Sequence, residues 1–133
     1  MIGIVIVAHG GLAKEYLAAV EHVVGNQPGI TAVSVAAECD RPGKVTEIKQ
    51  AIEMTDIGEG VVVVTDMFGG SPSNLACRAC HPNEDCLLFG ANLPMLIQLA
   101  KSRKQPIPEA IETALTAGRK YMNSLEAQKQ GKV

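Results

Sequence analysis

The sequence predicts an α/β three-layer sandwich, and two observations carry that prediction. Three short, continuous apolar runs, residues 2–8, 30–37 and 60–65, have the composition of strands buried on both faces, as in a parallel sheet. Stretches with helical apolar spacing lie between and after them, so strand and helix alternate from end to end.

The first and third runs are rich in Val and Ile, and a weaker fourth run covers residues 86–89. In the first helical stretch Leu12, Tyr16, Leu17, Val20 and Val24 fall on one face, and Gly25 can end it. Val45, Ile48, Ala51 and Ile52 mark a second helix. Ser71-Pro72 opens a third that carries Leu75, Ala76 and Ala79, and Pro94 opens a fourth. The last pattern is the most regular: Ile107, Ala110, Ile111, Ala114, Leu115, Gly118, Tyr121, Met122 and Leu125 read as one helix. Right-handed crossovers restrict the topologies that can join these elements.

The chain has 133 residues, room for one domain with one core. It is 47% apolar but only 3% aromatic and lacks Trp, so aliphatic packing of helices on a sheet must supply the stability. A net charge of -2 with no basic block argues against a nucleic-acid partner. No apolar run reaches the roughly 20 residues of a membrane span. The N-terminus MIGIVIVAHGG lacks the basic start and cleavage site of a signal peptide. The expected location is the cytoplasm, where the 4 cysteines stay reduced.

In open α/β sheets the site lies beyond the carboxyl ends of the strands, where strand order reverses. The residues that follow the strands are therefore the candidates. After the first comes His9-Gly10-Gly11, after the third Asp66-Met67-Phe68-Gly69-Gly70-Ser71-Pro72, and after the fourth Gly90-Ala91-Asn92-Leu93-Pro94. With strand order 2-1-3-4, His9 and Asp66 stand side by side; other orders part them, and the residues alone do not choose.

Imidazole is the side chain that can be both neutral and nucleophilic near pH 7, and the two glycines after His9 permit close approach of a ligand. Beside it, a carboxylate at Asp66 would accept one ring N–H, fix the tautomer and leave the other nitrogen free to attack. Gly69-Gly70-Ser71-Pro72 reads as a helix start whose backbone N–H groups suit an anion. Neither GxxxxGK[ST] nor GxGxxG is present, so the anion is not marked as a nucleotide phosphate. A histidine, an orienting aspartate and an anion cradle together suggest a phosphohistidine site, with no cofactor and no metal required.

Cys77-Arg78-Ala79-Cys80-His81 matches the C-x-x-C-H spacing of haem attachment, and Cys86 adds one more thiol that could bind zinc. Because the segment follows the Ser71-Pro72 helix start, the expectation is packing of small apolar thiols on the sheet. Of the other histidines, His22 is read as a surface residue near a helix end, and His81 as a helix-end cation before Pro82.

The strand-His-Gly start, TDMFGGSPSNLA and GANLPML together resemble the enzyme IIA domain of the mannose family (mannose/fructose/sorbose type) of the phosphoenolpyruvate-dependent sugar phosphotransferase system. The resemblance runs from residue 2 to about residue 117. It implies a mainly parallel sheet of order 2-1-3-4 and a homodimer that exchanges an edge strand. The expected IIA domain covers residues 1–127, and the mostly polar residues 128–133 read as a frayed tail. The family's phosphorylated histidine falls on His9 and its orienting aspartate on Asp66, with Gly69, Gly70 and Ser71 around the phosphoryl group. The implied donor is the histidine phosphocarrier protein HPr, charged from phosphoenolpyruvate by enzyme I. The implied acceptor is a separate IIB component serving a IIC/IID permease. Met67 departs from family members that place a hydroxyl there. Two rival readings are a regulatory phosphoprotein without a permease and the phosphotransfer subunit of dihydroxyacetone kinase, which shares the fold and a near-N-terminal histidine.

Overall fold

A computed structural model describes residues 1–81 and 86–131. The elements follow the order β1 (Gly3–His9), α1 (Leu12–Val24), β2 (Ile30–Val35), α2 (Arg41–Thr55), β3 (Val61–Thr65), α3 (Ser71–Ala79), β4 (Cys86–Leu88), α4 (Leu93–Lys101), α5 (Ile107–Lys120) and α6 (Leu125–Lys129). The strands form a four-stranded sheet of order β2-β1-β3-β4, and every pairing is parallel.

The alternation of side chains along β1 and β3 divides the core into two layers. Ile4, Ile6, Ala8, Val62 and Val64 point into a cluster with Ala13 and Val20 of α1, Leu96 and Leu99 of α4, and Ala110 and Ala114 of α5. Val5, Val7, Val61 and Val63 point the other way, onto Val45, Ile48 and Ile52 of α2 and Leu75 and Ala76 of α3. Strands buried on both faces need no polar alternation, which is why these runs are continuous in sequence. Each fully buried Val or Ile contributes about 1.5–3 kcal/mol relative to exposure, so the central strands are held firmly, and with them whatever their carboxyl ends carry.

At the opposite end of the sheet Arg103 is buried, at 3% exposure. Its Nε donates to the Ile2 carbonyl at 2.8 Å and its Nη1 to Gln27 Oε1 at 3.4 Å, while the Ile2 N–H donates to the Arg103 carbonyl.

Three expectations change. The second run was read to residue 37, but β2 stops at Val35, which pairs with His9. β1 ends there, and a lone edge strand has nothing further to pair with. The last helical pattern does not continue to Leu125. α5 ends at Lys120, the Ser124 N–H donates to Asn123 Oδ1 at 2.8 Å, and the Ser124 hydroxyl caps the separate α6 by accepting from the Ala127 N–H at 2.9 Å. These local bonds compete with helix continuation and leave Tyr121, Met122 and Leu125 exposed. The cysteines also divide: Cys80 and Cys39 pack against the second core layer, but Cys77 points outward from α3 and is exposed. Pro82, Lys132 and Val133 lie outside the described residues. No helix among the described residues is long and apolar enough to cross a membrane.

Candidate functional site

β1 and β3 are neighbours, and Val7 pairs with Thr65. Their carboxyl ends are therefore side by side, and the residues that follow meet. β1 passes to β2 through α1 on one side, and β2 returns through α2 to β3 on the other, so this junction is the switch point of the sheet.

His9 Nδ1 lies 2.7 Å from Asp66 Oδ2, and the His9 backbone N–H donates to the same oxygen at 3.0 Å. With Nδ1–H committed to the carboxylate, Nε2 carries the ring's free lone pair. The His9 side chain is 50% exposed, whereas that of Asp66 is 10% exposed. Burial pushes the Asp66 carboxyl up, but the His9 backbone N–H, the ring N–H and the charge of the ring when it is protonated outweigh it and hold the group below its ordinary value. The second carboxylate oxygen, Oδ1, is buried and has no hydrogen-bond partner among the described residues.

Gly10, directly after His9, has φ 55, a left-handed conformation that lets the chain turn away at once and keep the ring at the rim. Gly70 is required for space. A Cβ there would lie 2.9 Å from His9 Cε1 and 3.3 Å from Nε2, so only a glycine leaves the Cε1–Nε2 edge of the ring undisturbed. Gly70 is also the N-cap of α3, and its first turn receives no side-chain cap among the described residues. The helix start beside the His9 ring therefore keeps backbone N–H groups that no side chain caps among the described residues.

The loop departs from the expected cradle in one respect. The Gly69 N–H is already spent: it donates to Ser73 Oγ at 3.0 Å, and that hydroxyl donates onward to the Gly70 carbonyl at 3.0 Å. Ser73 is buried and pins the turn that brings Gly70 to His9. It was not singled out in sequence, although a serine within the first turn of a helix is a recognisable signal for such bonds.

The G-x-N-x-P-M segment proves architectural. Asn92 Oδ1 caps α4 by accepting from the Met95 N–H at 3.0 Å, and Asn92 Nδ2 donates to the Gly118 carbonyl of α5 at 2.8 Å. The segment is tied to the site through Tyr16, whose hydroxyl donates to the Ala91 carbonyl at 3.0 Å, and through the Ala91 N–H, which donates to the Thr65 carbonyl. Burial and then the Asp66 charge push the Tyr16 hydroxyl above its ordinary value, so it stays a donor.

His9 lies on a rim, with exposed Leu12, Met67 and Phe68 beside it in the chain or across the junction. The Phe68 ring stands edge-on to Phe89, with centroids 5.0 Å apart and an interplanar angle of 82°. An open groove of about 820 Å³ between α4 and α5, lined by Ile97, Lys101, Thr116 and Tyr121, includes neither His9 nor Asp66. His22 lies in the last turn of α1 and His81 just past α3; the structure brings neither to His9. Among the described residues no three His, Cys, Asp or Glu side chains converge as a metal site would need.

The chain is thus an open parallel α/β sandwich with a histidine–aspartate pair at its switch point and the Gly70-Ser71 start of α3 beside the histidine ring. Residues 3–115 match the family described as "PTS system fructose IIA component", and the chain belongs to that family. The PTS system mannose-specific EIIAB component of Escherichia coli (strain K12) is 27% identical over 129 residues, covering 95% of this chain and 40% of that protein. The chain thus spans about two fifths of that relative's length. The mannose/sorbose specific IIA subunit of the phosphotransferase system from Enterococcus faecalis superposes with a TM-score of 0.82 at 25% identity, covering 93% of this chain and 94% of that one. The phosphotransferase system component EIIA from Streptococcus agalactiae has the same fold, with a TM-score of 0.79 at 23% identity over 96% of this chain and 99% of that one.

Proposed function

We propose that this protein is a phosphocarrier that accepts a phosphoryl group from phospho-HPr on His9 Nε2 and passes it to a IIB component for sugar uptake. The observation that carries the reading is the pairing of His9 Nδ1 with Asp66 Oδ2 at 2.7 Å while Gly70 lies beside the Cε1–Nε2 edge of the ring. In the transfer the donor N–P bond breaks, its electron pair returns to the donor nitrogen, and the Nε2 lone pair forms the new N–P bond. Asp66 offsets the positive charge that develops on the ring, so its interaction strengthens as the bond forms. Exchange between two proteins needs an exposed nucleophile, and a half-exposed His9 on a rim with Leu12, Met67 and Phe68 fits a transient apolar contact with a partner.

The test is incubation with phosphoenolpyruvate, enzyme I and HPr, followed by mass mapping under alkaline conditions, with His9→Ala as the control. Phosphate on His9 alone is expected. Phosphate persisting on His22 or His81 in the variant would overturn the assignment. Onward transfer to a IIB protein separates transport from a purely regulatory role, in which His9 is charged and holds its phosphate.

A further inference from the structure

Arg41 brings a full positive charge to the same junction. It is the first residue of α2, exposed, and its Nη1 lies 3.4 Å from Ser71 Oγ. Ser71 opens α3 directly after Gly70, whose Cβ position is 3.3 Å from His9 Nε2. The topology explains the approach. β2 lies beside β1, so the connection after β2 starts α2 at the carboxyl end of the sheet, and α2 packs against α3 on the same face. The starts of the two helices are thereby adjacent.

Two features of Arg41 call for a ligand. Among the described residues it forms no ion pair, and its single polar contact, at 3.4 Å, lies at the long end of hydrogen-bond geometry. A guanidinium so loosely held is free to exchange that contact for a stronger one. A phosphoryl group on Nε2 would be a dianion placed one ring away from the Asp66 carboxylate. The start of α3 offers only a partial positive charge. A guanidinium offers a unit charge and a planar fork that matches phosphate oxygens.

We propose that Arg41 binds the phosphoryl group carried by His9, giving up its weak contact with Ser71 for charge-assisted hydrogen bonds to the phosphoryl oxygens. This rests on the phosphocarrier reading above. Arg41 neither gives nor takes a proton in the transfer; it stabilises the phosphorylated state and draws the equilibrium with the donor toward this chain.

The experiment measures the equilibrium partition of phosphate between HPr and wild type, Arg41→Gln and Arg41→Lys, at low and high salt, with thermal midpoints recorded alongside. Arg41→Gln is expected to melt like wild type and to shift the partition toward HPr by about tenfold, the scale of one charge-assisted hydrogen bond. Arg41→Lys keeps the charge without the fork and should fall between. Added salt should narrow the gap between wild type and Arg41→Gln. An unchanged partition in Arg41→Gln overturns the proposal and leaves the carrier reading intact. A slower approach to an unchanged partition also overturns it, because Arg41 then acts on docking. Wild type that takes up no phosphate at all overturns the carrier reading itself.

Discussion

A single oxygen of Asp66, Oδ2, holds His9 at two points: it accepts the ring Nδ1–H at 2.7 Å and the backbone N–H at 3.0 Å. The ring is thus positioned relative to its own backbone, and Nε2 is the ring nitrogen that Asp66 does not engage. Replacing the carboxylate by an amide keeps the size but adds a donor, which can turn toward Nδ1 and hold the wrong tautomer. Asp66→Asn should therefore fold and yet transfer phosphate from HPr more slowly by roughly 100-fold or more. Stopped-flow transfer rates and melting curves, taken separately, check this. A variant that melts like wild type and transfers at full rate would make Asp66 a loop cap only.

The same pair gives a pH signature. The Asp66 carboxyl in the folded chain sits below its ordinary value of 3.8, because its bonds and charge interaction with His9 outweigh burial. Near that pH the folded state holds fewer protons than the unfolded chain. The stabilisation is accordingly complete above the unfolded value and is lost as pH falls through the lower, folded one. Urea unfolding of wild type and Asp66→Asn across pH 3–7, about one transition per half unit, should show a gap that is constant near neutrality and closes in acid. A gap that widens on acidification would contradict the geometry.

Gly70 and Ser71 are adjacent but predict opposite sensitivities. A Cβ at Gly70 meets the His9 ring at 2.9 Å, so Gly70→Ala must move the imidazole and Gly70→Val must move it further. Ser71→Ala removes one hydroxyl and leaves the backbone donors in place. Transfer from HPr should slow by no more than about tenfold in Ser71→Ala, or ~1.4 kcal/mol in the barrier, and far more in Gly70→Val. Normal transfer by Gly70→Val would place the phosphoryl contacts elsewhere. Ring chemical shifts of His9 in the two variants distinguish a displaced imidazole from a lost contact.

Much of this arrangement was legible from residues alone, and the rest was not for identifiable reasons. Continuous Val/Ile runs reveal strands buried on both faces, and the rule that sites follow strand ends leads to His9 and Asp66. Their juxtaposition needed the order 2-1-3-4, which came from resemblance, since the runs themselves permit other orders. Arg41 carried no local signal, because its approach to Ser71 depends on how α2 packs against α3. Ser73 and Asn92 act through side-chain hydrogen bonds, which hydrophobic periodicity does not register. The break after Lys120 is hidden for the same reason: Tyr121, Met122 and Leu125 keep the helical period, while the bonds of Asn123 and Ser124 interrupt it.

That interruption bears on assembly. Tyr121, Met122 and Leu125 are 65%, 78% and 68% exposed, and none belongs to either core layer. They follow α5 as three large side chains that a single chain leaves in water. β4 has 3 residues and is an edge strand, too short to close that side of the sheet by itself. The expected species is a homodimer in which this segment is covered by the second copy. Light scattering at micromolar concentration should return twice the 14.0 kDa chain mass. Met122→Asp and Leu125→Asp should each weaken the dimer by about tenfold or more, since a charge placed in an apolar contact costs over 1 kcal/mol. Each should leave the circular dichroism of the folded chain intact, because the side chains lie outside the core. A wild-type chain that stays monomeric at every concentration would count against the exchanged edge strand, and unchanged dimerisation in both variants would move the interface away from this segment.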